Sequence, residues 1–268
     1  MTVSNTVPLT ECKEVAVAAA AKAAAIIREG FGLDHNLRFK KSHSDLVTDF
    51  DPRAEAEIVR IIRAAFPDHQ IVAEEGSTGG QHADYRWYVD PIDGTTNFAH
   101  GYPLVCTSIG LEAQGELALG VVYAPMLNEM FIGVKGQGAT LNGRLIHVSE
   151  TPRLQRALLA TGFPYDRNTV AMNAGCFDAF LHHAQGVRRD GCAALDLCSV
   201  AMGRFDGFWE YGFAHWDMAA GAVIIREAGG SVTLPDGAPL IGVSHDLVAS
   251  NGLIHSEIVE VLASVHQQ

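Results

Sequence analysis

Residues 87–98 read Trp-Tyr-Val-Asp-Pro-Ile-Asp-Gly-Thr-Thr-Asn-Phe, and this stretch decides the fold. Its apolar start, residues 87–89, predicts a strand that delivers Asp90 at its end. Pro91 cannot donate to a sheet ladder, and the pair Asp93-Gly94 is a strong turn signal that leads into a predicted helix. The sequence therefore presents two carboxylates at the C-terminal end of a strand, beside a helix N-terminus whose first N–H groups are unpaired.

Two interpretations of this stretch are open. Carboxylates suit hard divalent cations, and the N–H groups of Gly94 and Thr95 suit a phosphate. Alternatively, Asp93-Gly94 only sets a turn and Thr95 or Thr96 only caps the helix. The pair Asp-Gly alone favours the turn, but two acids bracketing Pro-Ile and followed by Gly-Thr-Thr form a much more specific signal for a metal and phosphate site.

Other acids occupy the same kind of position in the chain. Glu74 and Glu75 follow an apolar predicted strand, Asp217 precedes a predicted helix, and Asp51 follows the segment Leu46-Val47-Thr48. Each of these acids alone is explained by a solvated loop or by a helix cap. Four such coincidences together make that explanation weak, so we expect the acids to converge on one site.

Periodicity predicts the elements around this site. Alanine-rich residues 9–29 predict an amphipathic helix, and a second helix is expected after Pro52. Strands are predicted at 37–41, 71–73, 87–89, 106–109, 119–122, 130–134, 139–141 and 205–210, and further helices at 168–183, 193–202, 218–228 and 253–265. The fold class is therefore α/β, with an α+β N-terminal half and an α/β C-terminal half.

Domain organisation and cell compartment follow from length and composition. We expect residues 1–268 to form one catalytic domain with sub-halves of about 1–145 and 146–268, joined near 142–152. The formal charge of −12 disfavours nucleic acid and anionic membranes as partners, and clustered acids are better explained as ligands of bound metal. Five cysteines without a CxxC pair indicate free buried thiols in a reducing cytoplasm. No signal peptide or membrane span is expected at the N-terminus.

Six segments together resemble the inositol monophosphatase family. They are residues 45–51 (Asp-Leu-Val-Thr-Asp-Phe-Asp), 73–76 (Ala-Glu-Glu-Gly), 90–98, 191–197 (Gly-Cys-Ala-Ala-Leu-Asp-Leu), 203–210 (Gly-Arg-Phe-Asp-Gly-Phe-Trp-Glu) and 216–221 (Trp-Asp-Met-Ala-Ala-Gly). The segments stand in the family's order and at its spacing, and the resemblance covers about residues 10–265. The Asp-Pro-Ile-Asp-Gly-Thr string and the Trp-Asp pair are highly specific for that family.

The resemblance implies a fold and a set of metal ligands. The expected fold is a layered α/β/α/β/α sandwich, as in fructose-1,6-bisphosphatase, usually as a homodimer that binds two to three Mg²⁺ ions and is lithium-sensitive. Glu74, Asp90 and the Ile92 carbonyl would hold the first ion, and Asp90, Asp93 and Asp217 the second. Glu74 would also contribute to a third, weaker ion. Oxygen-only ligands select Mg²⁺, with Mn²⁺ as a possible substitute.

The resemblance also implies catalytic roles. Thr95, hydrogen-bonded to Asp51, would orient and help deprotonate the attacking water, while Glu74 would act as a metal ligand and no phosphoenzyme would form. Two metal ions would clamp the attacking and leaving oxygens in an in-line displacement. The N–H groups of Gly94 and Thr95 would hold phosphate oxygens. Lys40 or Lys41 lies on a polar segment suited to close over the phosphate, with a solvated lysine pair as the alternative.

The expected substrate is a small phosphorylated polyol. By resemblance Glu210 would accept hydrogen bonds from vicinal hydroxyls, with the Ala193 backbone nearby. Cys192 stands where the family more often has a small or hydroxylated residue, which affects fine specificity and not metal chemistry. Since no histidine pairs with it in a known pattern, no cysteine nucleophile is expected. His100 and His215 are expected to be structural.

Several functions compete with the hydrolysis of inositol monophosphates. The related scaffold also serves fructose-1,6-bisphosphate, histidinol phosphate and 3′-phosphoadenosine 5′-phosphate, so a broader phosphatase is one alternative. Another is a regulatory binding protein of the transcription machinery, a role ascribed to some bacterial relatives. A degenerate binding module is expected to have lost some catalytic acids, and this chain keeps each of them.

Overall fold

The elements below come from a computed structural model, which describes residues 8–33, 37–39, 46–76, 78–80, 82–164 and 167–265. Within these ranges the helices are α1 (Leu9–Gly30), α2 (Phe50–Ala65), α3 (Thr95–Ala99), α4 (Arg167–His183), α5 (Ala193–Ala201), α6 (His215–Glu227) and α7 (His255–Val265). A short 3-10 helix covers Leu154–Arg156.

The strands of the same ranges form three sheets. They are β1 (Arg38–Phe39), β2 (Leu46–Val47), β3 (His69–Ala73), β4 (Thr78–Gly79), β5 (His82–Asp93), β6 (Cys106–Ala113), β7 (Glu116–Ala124), β8 (Glu129–Val134), β9 (Gly138–Leu141), β10 (Arg144–Leu145), β11 (Leu158–Thr161), β12 (Gly186–Arg188), β13 (Gly207–Tyr211), β14 (Ser231–Thr233) and β15 (Asp246–Ser250). The first large sheet has the order β10-β9-β8-β7-β6-β5-β3-β4, and the second has β12-β11-β13-β15-β14. Strands β1 and β2 form a small antiparallel pair.

The two large sheets differ in strand direction. The first sheet is antiparallel except where β3 runs parallel to β5, which confirms the prediction of a largely antiparallel sheet. In the second sheet β11 is parallel to both β12 and β13, while β15 is antiparallel to β13 and β14. This difference matches the predicted change from an α+β N-terminal half to an α/β C-terminal half.

Helices and sheets alternate in five layers. Helices α1 and α2 pack on one face of the first sheet, and α5 and α6 lie between the two sheets. Helices α4 and α7 cover the outer face of the second sheet. Three apolar clusters fill the spaces between these layers, and the central one joins residues of both sheets. The layered α/β/α/β/α arrangement expected from the sequence is therefore confirmed.

Helix α6 approaches the first sheet closely because glycines line the contact. A Cβ atom on Gly120 would lie 2.2 Å from the Ala220 carbonyl oxygen, and one on Gly110 would lie 2.6 Å from the Ala219 Cβ. Side chains at these positions would push the helix away from the sheet. The close contact holds the first turn of α6, which carries Asp217, against the strands that carry the other acids.

Some element boundaries differ from the sequence predictions. Helix α2 begins at Phe50, two residues before Pro52, because the first turn of a helix does not use its N–H groups and tolerates proline there. Helix α6 begins at His215, so Asp217 lies inside its first turn and not before it. Strand β1 ends at Phe39, and the predicted lysine segment 40–45 lies outside the described residues.

The sequence also led to expectations about the cysteines, membrane spans and domain organisation. All five cysteines are buried and free, as predicted. No helix within the described ranges combines the length and the apolar character needed to cross a bilayer. The first large sheet ends with β10 at Leu145 and the second begins with β11 at Leu158. The description as one domain with two sub-halves stays a prediction.

Candidate active site

A bulge near the end of β5 sets the two central acids. Asp90 pairs with Ser108 of β6, and Asp93 pairs with Cys106, so three steps along β5 match two steps along β6. In a regular strand, residues three apart face opposite sides of the sheet. The bulge at Pro91 removes that alternation and lets both carboxylates reach the same end of the strand.

Gly94 turns the chain from β5 into α3. Its φ of +89° lies in the left-handed region, and a Cβ atom there would lie 2.9 Å from the Leu104 carbonyl oxygen. Glycine avoids both the conformational cost and the close contact. Helix α3 then starts at Thr95, directly beside the two acids, as the sequence predicted.

Thr95 and Asp51 form the hydrogen bond that the resemblance implies. The Thr95 Oγ1 lies 3.1 Å from Asp51 Oδ1 and 3.0 Å from the Ile92 carbonyl oxygen, so the hydroxyl has two acceptors in reach. The other oxygen of Asp51 accepts bonds from Thr48, at 2.8 Å from its N–H and 2.5 Å from its hydroxyl. Asp51 is fully buried, and these donors fix it as an acceptor facing Thr95.

Four carboxylates meet beside this pair. Burial raises the pKa of Asp90 well above its ordinary value, and the charges of Glu74, Asp93 and Asp217 raise it further. The Oδ1 atom of Asp90 is buried and has no hydrogen-bond partner among the described residues. Such an arrangement is costly unless a cation compensates it. These oxygen donors therefore fit a hard divalent cation such as Mg²⁺.

Asp93 is tied to the second half of the chain. Its Oδ2 accepts the backbone N–H of Ala194 at 2.7 Å, and its Oδ1 accepts that of Ala193 at 3.3 Å. The Cys192 thiol donates to Oδ2 at 3.2 Å. Burial raises the pKa of Asp93 to about 6, while the donors from Ala194 and Cys192 oppose that rise. The N-terminus of α5 thus stabilises the ionised form of this acid.

Asp217 is positioned by its own helix. It is the third residue of α6, and its Oδ2 accepts the backbone N–H of Ala214, the residue that precedes the helix, at 2.9 Å. Ser108 of β6 donates to the Trp216 carbonyl oxygen at 3.0 Å and links the same turn to the first sheet. Asp217 therefore caps the start of its own helix through its carboxylate as well as belonging to the carboxylate group.

Glu210, on β13 of the second sheet, also belongs to this site. Its Oε2 is buried without a hydrogen-bond partner among the described residues, and burial raises its pKa well above the ordinary value. The charges of Asp217 and Asp93 add to the rise. A Cβ atom at residue 162 would lie 2.0 Å from this oxygen, so Gly162 leaves the space that Glu210 occupies.

These groups surround one cleft of about 620 Å³. The sequence-predicted residues that line it are Glu74, Asp90, Ile92, Asp93, Gly94, Thr95, Ala193, Glu210 and Asp217. Asp51 does not line the cleft but contacts Thr95 from behind. A second cavity, of about 300 Å³ and lined in part by Lys135 and Arg226, contains no predicted site residue. The structure thus brings the predicted residues together at one place.

Several residues of the cleft were not predicted. Asp196 and Arg189 line it, and burial raises the pKa of Asp196 while the Arg189 charge lowers it. One feature of the sequence could have indicated that Asp196 lines the cleft: it lies one helical turn after Ala193, which was predicted to do so. Cys106 also contacts Asp93, at 3.8 Å, but its place follows from strand register, which the sequence does not reveal.

The two histidines near the motifs stay outside the cleft. Neither His100 nor His215 is among the described residues that line it. His215 stacks on His245 with ring centroids 4.3 Å apart, and burial lowers its pKa. Both observations agree with the structural role expected for His215.

Several known proteins are similar to this chain in sequence. The profile of the inositol monophosphatase family matches residues 9–267. A Synechocystis sp. protein named inositol-1-monophosphatase is 48% identical over 256 residues, covering 95% of this chain and 89% of the relative. A Neisseria meningitidis serogroup B protein named putative Nus factor SuhB is 41% identical over 241 residues, covering 89% of this chain and 92% of the relative.

Solved structures give the same result. The inositol monophosphatase from Anabaena (Nostoc) sp. superposes with a TM-score of 0.86 at 42% identity, and 96% of each chain is covered. The match therefore extends over nearly the whole chain, including the strand and helix ends that carry the acids. With a sequence profile and a fold that agree over nearly the whole length, this chain belongs to the inositol monophosphatase family.

Proposed function

We propose that this protein hydrolyses phosphate monoesters of small polyols, with inositol monophosphates as the preferred substrates and Mg²⁺ as the cofactor. The observation that carries the proposal is the unpartnered Oδ1 atom of Asp90, buried among the charges of Glu74, Asp93 and Asp217. Asp90 lines a cleft that is large enough for a small phosphorylated ring.

The proposed metal ligands are the four carboxylates and one carbonyl. Glu74, Asp90 and the Ile92 carbonyl would hold one ion, Asp90, Asp93 and Asp217 a second, and Glu74 would contribute to a third. Bound Mg²⁺ supplies Lewis-acid stabilisation of the charge on the phosphate and lowers the pKa of water at the site. This chain's membership of the inositol monophosphatase family supports the assignment, and Mn²⁺ shares the same preference for oxygen donors.

Thr95 and Asp51 are the proposed acid–base pair. With Asp51 held by Thr48, the Thr95 hydroxyl keeps a lone pair for the attacking water and passes the water's proton on to Asp51. The contact between Thr95 Oγ1 and the Ile92 carbonyl fixes the hydroxyl next to the metal ligands. The water thus attacks phosphorus directly, without a phosphoenzyme.

The remaining lining residues would bind the substrate. The first N–H groups after the turn, at Gly94 and Thr95, would donate to phosphate oxygens. Glu210 and Ala193 both line the cleft, and a carboxyl group there would suit two vicinal hydroxyls of a polyol. A polyol with hydroxyls next to the ester therefore fits better than a planar nucleobase.

The test is phosphate release from inositol-1-phosphate by the wild type and by Asp93→Asn, with magnesium titrated and EDTA as the control. Asp178→Asn, which changes an exposed acid on α4, is the matched variant and is expected to behave as the wild type. Magnesium-dependent turnover that collapses only in folded Asp93→Asn supports the proposal. Absence of turnover with magnesium still bound, measured by calorimetry, would remove inositol-1-phosphate as the substrate.

Other phosphate esters form the alternative substrate set. Fructose-1,6-bisphosphate, histidinol phosphate and 3′-phosphoadenosine 5′-phosphate can be compared with inositol-1-phosphate by their kcat/KM values at saturating magnesium. We expect the inositol ester to rank first because Glu210 offers a carboxylate to vicinal hydroxyls. A nucleotide that ranked above it would contradict the polyol assignment.

A regulatory binding role is the second candidate. A relative at 41% identity is named putative Nus factor SuhB, and that name is the observation that favours it. If the protein neither releases phosphate nor binds magnesium, docking to the transcription machinery becomes the leading proposal. Pull-down with purified RNA polymerase and elongation factors tests it directly.

The other expectations stay predictions. The homodimer and lithium sensitivity come from the resemblance, and the cytoplasmic location and the absence of nucleic-acid partners come from composition and charge. Sedimentation at several protein concentrations checks the dimer, and lithium titration of phosphate release checks the inhibition. The negative formal charge of −12 continues to disfavour direct RNA contact.

A further inference from the structure

Two thiols lie side by side behind the carboxylate of Asp93. The sulfur atoms of Cys106 and Cys192 are 3.5 Å apart, and they lie 3.8 Å and 3.2 Å from Asp93 Oδ2. One ligand atom from each of these three buried residues lies within 4.8 Å of the other two. The set therefore has the compactness of a coordination sphere, with two sulfur atoms and one oxygen.

This donor set differs in kind from the magnesium ligands. Thiolates select Zn²⁺ and other thiophilic ions, whereas Mg²⁺ takes oxygen ligands. In a tetrahedral site with Zn–S bonds of about 2.3 Å, two sulfur ligands lie about 3.8 Å apart. The Cys106 and Cys192 sulfurs, at 3.5 Å, need only a small adjustment to reach that separation.

We propose that Cys106, Cys192 and Asp93 form an inhibitory site for a thiophilic divalent cation, represented by Zn²⁺. The ion would replace the two thiol protons, which leave to the solvent, and no oxidation takes place. Three protein ligands leave a fourth position for water. Because Asp93 serves this site and the proposed magnesium site, the two cations compete through one carboxylate.

The cleft provides the entry path. Asp93 and Cys192 line it, while Cys106 lies immediately behind them on β6. Cys198, on the following turns of α5, is also buried but is not part of the compact group. The chain thus offers a matched control cysteine on the helix that directly follows Cys192.

The binding test uses the full-length, reduced, magnesium-free protein and Cd²⁺ as a spectroscopic probe. Cadmium–thiolate bonds absorb in the ultraviolet, and we expect one equivalent per chain that Zn²⁺ displaces. Cys192→Ser and Cys106→Ser each abolish this band, whereas Cys198→Ser keeps it. A wild type without the band, or a band that survives in folded Cys192→Ser, overturns the proposal. If Cys106→Ser does not fold, Cys192→Ser decides.

The inhibition test rests on the proposed function, whereas the binding test does not. At fixed magnesium, Zn²⁺ should inhibit phosphate release by the wild type, and Cys192→Ser should need at least tenfold more Zn²⁺ for the same inhibition. Equal inhibition of both proteins would show that zinc acts at the oxygen ligands alone and would overturn the inhibitory role. If the protein has no phosphatase activity, the cadmium band still shows whether the cation site exists.

Discussion

Asp93 Oδ2 accepts a hydrogen bond of 2.7 Å from the backbone N–H of Ala194, which lies 101 residues further along the chain. The first residue belongs to the end of β5 in the first sheet, and the second belongs to the first turn of α5 between the sheets. One carboxylate therefore joins the group of four acids to the start of the helix that borders the cleft. A substitution at either residue is therefore expected to shift the Asp93 carboxylate and the start of α5 together.

The turn at Gly94 offers a test of backbone geometry. Gly94→Ala should destabilise the protein by about 1–3 kcal/mol and reduce turnover, because its φ is +89° and its new Cβ would meet the Leu104 carbonyl oxygen at 2.9 Å. Gly115→Ala is the control, since its φ is +81° but nothing lies within 4 Å. Thermal unfolding and phosphate release measure both variants. Equal loss of turnover in the two would contradict a specific role of the turn at Gly94.

The hydroxyl of Thr95 offers a test of the acid–base pair. Thr95→Val keeps the shape but removes the group that bonds Asp51 at 3.1 Å, and we expect kcat to fall roughly 10²–10⁴-fold. Thr95→Ser restores a hydroxyl and should recover most of the activity. The comparison is made by steady-state kinetics at saturating magnesium. If the serine variant is as impaired as the valine variant, the hydroxyl is not the operative group.

The carboxylate cluster predicts how magnesium stabilises the protein. The pKa of Asp93 is raised from 3.8 to about 6 by burial, so the stability that comes with its protonated form is complete below about pH 3.8 and is lost as the pH rises through about 6. The metal-free protein should therefore gain more from magnesium at pH 7.5 than at pH 5. Thermal unfolding with magnesium or EDTA at both pH values measures the gain, and a gain that does not grow with pH would contradict the prediction.

Glu210 should show a trade-off between stability and binding. Burial raises its pKa well above 4.5, so in the wild type this group costs stability increasingly as the pH rises above about 4.5. Glu210→Gln should raise the unfolding temperature of the metal-free protein at pH 8, by about 2–4 °C for each kcal/mol regained, and leave it unchanged at pH 4.

The same variant should bind substrate less well. The amide offers one acceptor oxygen where the carboxyl group offers two, so its hydrogen bonds to vicinal hydroxyls are weaker and KM for inositol-1-phosphate should rise roughly tenfold. Phosphate release over a range of substrate concentrations provides the measurement. A stable variant with an unchanged KM would place the polyol elsewhere in the cleft.

Local signals in the sequence were enough to locate the acids. The strand that delivers Asp90, the turn at Gly94 and the helix after it are encoded by adjacent residues, and the structure has each of them. The α2 boundary was misplaced because Pro52 is tolerated at more than one position of a first turn. The predicted start of α6, at Met218, was three residues late. An acid near a helix start is favourable at the third helical position as well as before the helix, so Asp217 did not fix the boundary.

Long-range features lay beyond local reasoning. The contact between Cys106 and Cys192 depends on the bulge register of β5 and β6 and on how α5 docks, and neither is written in a short segment. The inward position of Asp196 likewise depends on which face of α5 meets the cleft. Such features follow from packing of elements that are distant in sequence, so they become visible only when the layers are assembled.

The close contact of α6 with Gly110 and Gly120 has a consequence for biogenesis. A nascent chain that has formed only its first sheet displays Asp90 but lacks Asp217, which arrives with α6 after more than half of the chain has been synthesised. The repulsion between these acids then opposes the docking of α6, and cations in the surrounding solution reduce that opposition. The proposed hydrolysis therefore requires that α6 has docked, and its appearance during refolding would report that the glycine-lined contact has closed.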